Sequence, residues 1–262
     1  MKPLFPTYII KLHAKKAMLG KFFKVMTCCI LPEIIILAFM AIIVLLVPGA
    51  GKSIALITTG YFDSMRERLE YQQIVFGNLI NTLNAVSVLF AFLSVGAQRV
   101  CLDALRGRKV KIKQLFQFYD KWYVALVFPL CTLALSFGIE YAVKLLSEVI
   151  TNEVALGIIG DLGTAFYYII CIKLFLFNIA LADNGCTSLK KAFLSAWKMT
   201  GINTILNLML LSFSFIGWFI ISMFTGIAFL YAYPYFMVCV VALYEANVQY
   251  NKAKEENSAI EE

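Results

Sequence analysis

The sequence predicts an all-α, polytopic membrane helical bundle with six transmembrane helices, two interfacial amphipathic helices and both termini in the cytoplasm. Of the 262 residues, 61% are hydrophobic and 15% are charged, whereas soluble proteins contain roughly 45–50% apolar and about 25% charged residues. Six apolar stretches are long enough to cross a bilayer as helices. Lysine and arginine are concentrated in alternate connecting segments. This composition excludes an ordinary soluble enzyme.

The six-span membrane domain occupies residues 26–248. A basic segment at residues 1–25 precedes it, and a short charged tail at 249–262 follows it. Each span has about the 20 residues that a hydrocarbon layer requires. We place the spans at about 26–48, 74–97, 122–146, 162–182, 202–222 and 227–247.

The distribution of cations predicts the orientation of these spans. With the N-terminus inside, eighteen lysines and arginines lie on the cytoplasmic side and four on the outer side, while Lys173 falls within span four. Cytoplasmic segments of membrane proteins carry this excess of basic residues. We therefore expect both termini in the cytoplasm. In this orientation most of the seven cysteines lie inside spans or on the cytoplasmic side, so we expect no disulfide framework among them.

The N-terminal segment, residues 1–25, contains six lysines and no acidic residue. Its interleaved apolar side chains are typical of a basic amphipathic helix on a membrane surface. A secretory signal is the alternative, but the apolar run that follows, about 22 residues, is longer than a signal core. We therefore expect an interfacial helix that is retained.

A second interfacial helix is predicted between spans four and five. Its apolar side chains recur at helical spacing, opposite Lys190, Lys191 and Lys198. The apolar set is Leu189, Ala192, Phe193, Ala196 and Trp197.

Two charged residues lie well inside predicted spans, away from their ends: Glu33 in span one and Lys173 in span four. Both lie about eight or nine residues from the cytoplasmic side, so a rise of roughly 1.5 Å per residue places each about 12–14 Å deep. At equal depth the two charges can meet and offset the cost of burying them. The functional interpretation is a gate, or a substrate or proton site. The alternatives are a structural clamp between the spans and snorkelling of Lys173 toward water.

Span two carries a row of polar side chains three residues apart, which places consecutive members on one face of a helix. Such amides hold membrane helices together or line a polar path. Together with Glu33 and Lys173, this row forms the predicted intramembrane polar cluster. The row consists of Asn78, Asn81, Asn84 and Ser87.

The cytoplasmic loop after span two is strongly basic, with Asp103 as its one acid between positions 99 and 113. Anionic lipid headgroups attract such a cluster, and the requirements of membrane insertion select the same composition. Because no recognition motif accompanies the charge, we expect lipid contact and no nucleic-acid binding. The predicted lipid-contact residues are Arg99, Arg106, Arg108, Lys109, Lys111 and Lys113.

No motif in the sequence predicts a catalytic residue, a metal site or a cofactor. The segment Gly49–Ser53 matches the end of a phosphate-binding loop, but Leu46 stands where the first glycine belongs and no strand precedes it. We therefore expect no nucleotide binding. The single histidine, His13, and the scattered cysteines do not have metal-ligand spacing.

The C-terminal third contains a pattern of residues: Ala182-Asp183-Asn184, Ser188 to Ala192, Ser195, Met199-Thr200-Gly201, Leu211-Ser212-Phe213, Ile216-Gly217-Trp218, Tyr233-Pro234-Tyr235 and Tyr244-Glu245. This pattern resembles that of a family of multispan proteins of Gram-positive bacteria that is catalogued as a domain of unknown function. The resemblance covers about residues 180–247, with Gly185 where the family pattern has proline. It implies a bacterial plasma-membrane protein of about six spans, and it implies no activity, catalytic residue or cofactor.

Several residues of this pattern have structural roles that their chemistry predicts. Gly201 is expected to end the second interfacial helix, and Gly217 to let span five pack closely on a neighbour. Trp218 suits the outer interface, and Tyr235 the interface or a deeper position. Pro234 is expected to bend span six. Glu245 lies near the inner end of that span, within reach of water or a basic loop residue.

Two functional hypotheses follow. The first is a non-enzymatic membrane protein that acts as an accessory, regulatory or protective partner of a transport, secretion or envelope system. The second is a small transporter or channel-like protein whose path is lined by Glu33, Lys173 and the span-two asparagines. A hydrated cavity that reaches these residues distinguishes the second hypothesis from the first. A lipid-processing enzyme that uses Glu33 or Glu245 would need a further polar partner within hydrogen-bond reach.

Overall fold

The computed structural model describes residues 5–46, 86–149 and 153–260, and this part of the chain contains helices and no strand. Two 3₁₀ helices, Ile112–Phe116 and Tyr119–Lys121, lie between the third and fourth α-helices. The α-helices are α1 (Thr7–Met18), α2 (Phe22–Leu46), α3 (Ala91–Leu105), α4 (Trp122–Ala125), α5 (Val127–Val149), α6 (Glu153–Asp183), α7 (Leu189–Met199), α8 (Ile202–Phe213), α9 (Ile216–Thr225) and α10 (Ile227–Ile260).

Within the described ranges, three helices are long and apolar enough to cross a membrane, and up to five spans result if each of two bent pairs counts as one. The three are α2, α6 and α10, which coincide with predicted spans one, four and six. The first pair joins the segment that ends in α4 to α5 at 48°, and the second joins α8 to α9 at 41°. The first half of predicted span two, 74–85, lies outside the described residues, and its second half runs into α3.

Helix α3 is the central element of the described core. Eleven of its 15 residues are buried, and it packs against α1, α2, α6 and α10. Its closest approach is to the first 3₁₀ helix at Gly96, where an added Cβ would overlap the backbone carbonyl oxygen of Leu115 and lie 2.7 Å from the carbonyl carbon. Only a residue without a side chain fits between these two backbones.

Helices α3 and α6 end in the same hydrogen-bonded turn. At the end of α6, the N–H of Cys186 donates to the carbonyl of Leu181 and the N–H of Gly185 to that of Ala182. Gly107 and Arg108 repeat this arrangement at the end of α3. Such turns require a left-handed residue, and φ is +72° at Gly107 and +62° at Gly185. Proline cannot adopt this angle, which accounts for the glycine at position 185.

Helix α7 packs antiparallel to the last turns of α6. The ring of Phe193 contacts that of Phe177, and further along α7 the ring of Trp197 lies next to Lys173. Alanines at positions 192 and 196 form the buried face of α7. The side chains of Phe193 and Trp197, which we predicted to lie on one apolar face with these alanines, are 50% and 58% exposed.

Helices α9 and α10 form a tight antiparallel hairpin, joined by Gly226 with φ of +62°. Aromatic side chains fill the contact, with the ring of Phe219 against Phe236 and that of Trp218 against Tyr231. Pro234 is buried within α10, which continues as one helix from Ile227 to Ile260.

We expect Gly96→Ala to lower the stability of the folded protein by about 1–3 kcal/mol, because the added methyl group forces α3 away from the 3₁₀ helix. Thermal unfolding of the purified full chain in detergent measures the effect. Gly138→Ala is the matched control, because a Cβ there has nothing within 4 Å. Equal stability of the two variants would contradict the close contact at Gly96.

Candidate functional site

A cavity of about 150 Å³ lies between α2, α3, α6 and α10, beside the start of α5. We call it the Glu33 cavity, because the carboxylate of Glu33 lines it near the middle of α2. The hydroxyl of Tyr233 on α10 donates a hydrogen bond of 2.7 Å to Glu33 Oε1. Hydroxyl side chains at Ser87 and Ser94 also line the cavity. The polar groups therefore converge on a space that is otherwise apolar.

The amide of Asn178 lines the opposite side of the Glu33 cavity, on α6. Asn178 is 1% exposed, and its Oδ1 atom has no hydrogen-bond partner among the described residues. Leaving a buried polar group unpaired costs about 1–3 kcal/mol. A ligand or water that donates to this oxygen would remove that cost.

Lys173 does not pair with Glu33 as we expected. Its ammonium lies over the ring of Trp197, 4.0 Å from the centroid, in a separate groove between α6 and α7. Within the described chain, Glu33 has a hydrogen bond from Tyr233 and no ion pair. The two residues lie on different faces of the bundle, because equal depth along two helices does not fix which way each side chain points.

The predicted asparagines of span two, Asn78, Asn81 and Asn84, lie outside the described residues. The last member of the row, Ser87, is described and lines the Glu33 cavity. Of the predicted polar cluster, the structure thus places Glu33 and Ser87 at one site and Lys173 elsewhere.

A second polar site, at Arg106 directly after α3, joins the ends of α3 and α6 to the middle of α10. Arg106 Nη1 and Nη2 donate to the two oxygens of Asp183 at 2.5 and 3.0 Å. Its Nε and Nη2 atoms donate to Glu245 on α10, the latter at 2.7 Å. The hydroxyl of Tyr244 also donates to Asp183, at 3.4 Å. We call these four residues the Arg106 cluster.

The partners of Arg106 keep its guanidinium positively charged. The hydrogen bonds to Asp183 and then to Glu245 raise the pKa of Arg106 above its ordinary value. The side chain is 22% exposed, so water screens the ion pairs only in part. The guanidinium therefore acts as a permanent cross-link between α3, α6 and α10.

Arg99 extends the polar contacts about two helical turns back along α3. Its Nη1 donates to the last carbonyls of α6, those of Ala182 and Asp183, at 3.2 and 3.1 Å. Its Nε lies 3.5 Å from the buried carboxylate of Asp103, an ion-pair distance without hydrogen-bond geometry. Asp103 also accepts from Gln114 Nε2 at 2.9 Å and from Arg108 at 3.3 Å.

These contacts correct the predicted lipid contact of Arg99 and Arg106, because both guanidinium groups are directed at protein acceptors. The side chain of Arg108 is 55% exposed while it pairs with Asp103. Lys109, Lys111 and Lys113 are exposed, and their contact with anionic lipid stays a prediction.

Gly201 and Gly217 do not have the roles we expected, whereas Glu245 pairs with a basic loop residue, Arg106, as we expected. Gly201 precedes α8 in an extended conformation, and the helix before it already ends at Met199. A Cβ at Gly217 would have nothing within 4 Å, so no described neighbour packs closely there. Tyr235 donates to the carbonyl of Lys11 at 3.0 Å, and Trp218 is 48% exposed.

Our predicted site residues did not include five polar residues of these two sites: Ser94, Asn178, Asp183, Tyr233 and Tyr244. Asn178 is an amide in the apolar run that follows Lys173, and this isolated polar residue could have marked it as a candidate site residue from sequence alone. Asp183 and Tyr233 occur in the pattern of the resemblance, but nothing in their local sequence indicates a partner 77 or 200 residues away.

Comparison of the chain with protein-family models, with curated proteins and with solved structures gives no match.

We expect Arg106→Gln to lower stability by about 1.5–3 kcal/mol, the range for a hydrogen bond to a charged group, because it leaves two half-buried carboxylates without a cation. Unfolding of the purified chain in detergent measures this loss. Arg108→Gln is the matched control, and its exposed ion pair should contribute about 1 kcal/mol or less. A loss at Arg106 no larger than the loss at Arg108 would show that the cluster does not hold the helices together.

Proposed function

We propose that the chain is a six-span plasma-membrane protein of a bacterium, with both termini in the cytoplasm and α1 and α7 at the inner membrane surface. The excess of lysine and arginine in alternate loops supports this orientation. Exposed aromatic side chains on both short helices, Tyr8 on α1 and Trp197 on α7, suit the level of the lipid headgroups.

We further propose that the Glu33 cavity binds a small cationic or protonated solute, as a transporter or channel-like protein would require. The observation that carries this proposal is a carboxylate, midway along an apolar helix, that no described cation neutralises. A charged side chain at the centre of a bilayer costs about 2.5–3.5 kcal/mol on insertion scales. A bound cation or a proton removes that charge.

The other groups of the cavity favour the same class of ligand. Asn178 offers an unpaired carbonyl oxygen, and Tyr233 holds one carboxylate oxygen of Glu33 in place. Hydroxyl oxygens of Ser87 and Ser94 lie on the same wall. Oxygen acceptors with one negative charge suit a proton, a monovalent metal ion or a small protonated amine. The hypothesis of an accessory partner protein stays a prediction, because no described contact bears on it.

The orientation predicts which introduced cysteines an impermeant maleimide labels in intact cells. Cys186 is unsuitable as a reporter, because it is buried and burial raises the pKa of its thiol to about 11. We expect Thr225→Cys, exposed at the α9–α10 turn, to react in intact cells. Lys190→Cys, exposed at the start of α7, should react only after permeabilisation. The opposite result would reverse the orientation.

Cation binding at Glu33 predicts that a permeating cation stabilises the folded protein. A ligand at 100 times its Kd adds about 2.7 kcal/mol to the free energy of unfolding. Unfolding of the full chain in detergent, titrated with Na⁺, K⁺ and methylammonium at two pH values, measures this gain. We expect Glu33→Gln to abolish it, because the amide has the volume of the carboxylate without the charge.

Glu256→Gln, which removes an exposed carboxylate further along α10, is the control and should respond as the wild type does. The proposal fails if the wild-type protein is stabilised neither by any of these cations nor by a change of pH. It also fails if Glu33→Gln retains the full response.

A further inference from the structure

The groove between α6 and α7 contains a cation in an apolar setting. Its volume is about 320 Å³, and Lys173 is the one charged residue in its lining. The remaining lining residues are apolar or aromatic: Phe166, Ile169, Ile170, Leu174 and Phe177 on α6, and Phe193, Ala196 and Trp197 on α7.

The charge of Lys173 is not compensated by an anion. In the described ranges no carboxylate lies within ion-pair distance of Lys173, and its ammonium lies over the face of Trp197. A cation–aromatic contact is an attraction but leaves the positive charge in place. Helix α7 adds three lysines and no acid, and Asp183 at the end of α6 is already paired with Arg106. The groove therefore complements a negatively charged group.

The side chain of Lys173 can carry its charge toward the lipid headgroups. The apolar stretch of α6 that is suited to cross a membrane, Ala165–Asp183, has Lys173 within it. A long basic side chain at such a position extends its ammonium toward the headgroups. Trp197 on α7, whose ring the ammonium contacts, belongs at the headgroup level.

We propose that this groove binds one anionic phospholipid, with its phosphate beside Lys173 and an acyl chain along the exposed aromatic and aliphatic side chains. Phe166 and Phe193 are more than 45% exposed, at 55% and 50%, and an acyl chain covers them. The site is distinct from the Glu33 cavity and does not depend on its proposed function.

Quenching of Trp197 by lipids with brominated acyl chains tests the proposal. The full chain with Trp122→Phe and Trp218→Phe retains Trp197 as its one tryptophan. Two series of bilayers are compared, each based on neutral phosphatidylcholine. One contains increasing brominated phosphatidylglycerol and the other increasing brominated phosphatidylcholine. The quenching of Trp197 fluorescence in each series reports how strongly that lipid associates with the groove. We expect phosphatidylglycerol to associate about fivefold more strongly, the factor for one lysine near an anionic lipid.

Lys173→Met should abolish this preference, while Lys173→Arg, which keeps the charge, should retain it. Lys190→Gln is the control for general surface charge and should leave the preference at Trp197 unchanged. Equal quenching by the two lipids in the chain with Trp197 as its one tryptophan would by itself overturn the proposal. A preference that survives in Lys173→Met, or one lost equally in Lys190→Gln, would also overturn it.

Discussion

The guanidinium of Arg106 holds the ends of α3 and α6 against α10, and the arrangement of the described core depends on it. Both carboxylates that it binds are themselves partly buried, so each charge needs the others to offset the loss of water. Arg106 is the residue that immediately follows α3, and Asp183 is the last residue of α6. The left-handed turns at Gly107 and Gly185 end the two helices just beyond these residues and so bring the charges face to face.

The Glu33 cavity depends on α3, the helix that Arg106 follows. Ala91, Ser94 and Ala97 of α3 form part of its wall, and α3 is fixed at one end by Arg106 and in its middle by the close contact at Gly96. A rigid wall keeps the acceptors of the cavity at constant separation, which a selective site requires. The lipid groove lies on the other side of α6, so α6 separates two sites of opposite charge.

The sequence predicted the apolar helices well, because length and hydropathy are local properties. It predicted that Glu33 and Lys173 lie within long apolar helices but not which residues they contact. Depth follows from counting residues, whereas direction depends on how each helix is rotated against its neighbours. Arg106 was assigned to lipid contact because its loop is strongly basic with Asp103 as the one acid, and its two acceptors lie 77 and 139 residues away. The turn at Gly185 was readable from the sequence, since glycine commonly follows a helix end.

The wide spacing of the Arg106 contacts also orders the assembly of the protein during its synthesis. When α6 leaves the ribosome, Arg106 gains its first acceptor. The second arrives only with Glu245, near the C-terminal end of the chain. Until then the guanidinium has one carboxylate partner, and α10 supplies the second. The cross-link between α3, α6 and α10 is therefore complete only when α10 is in place.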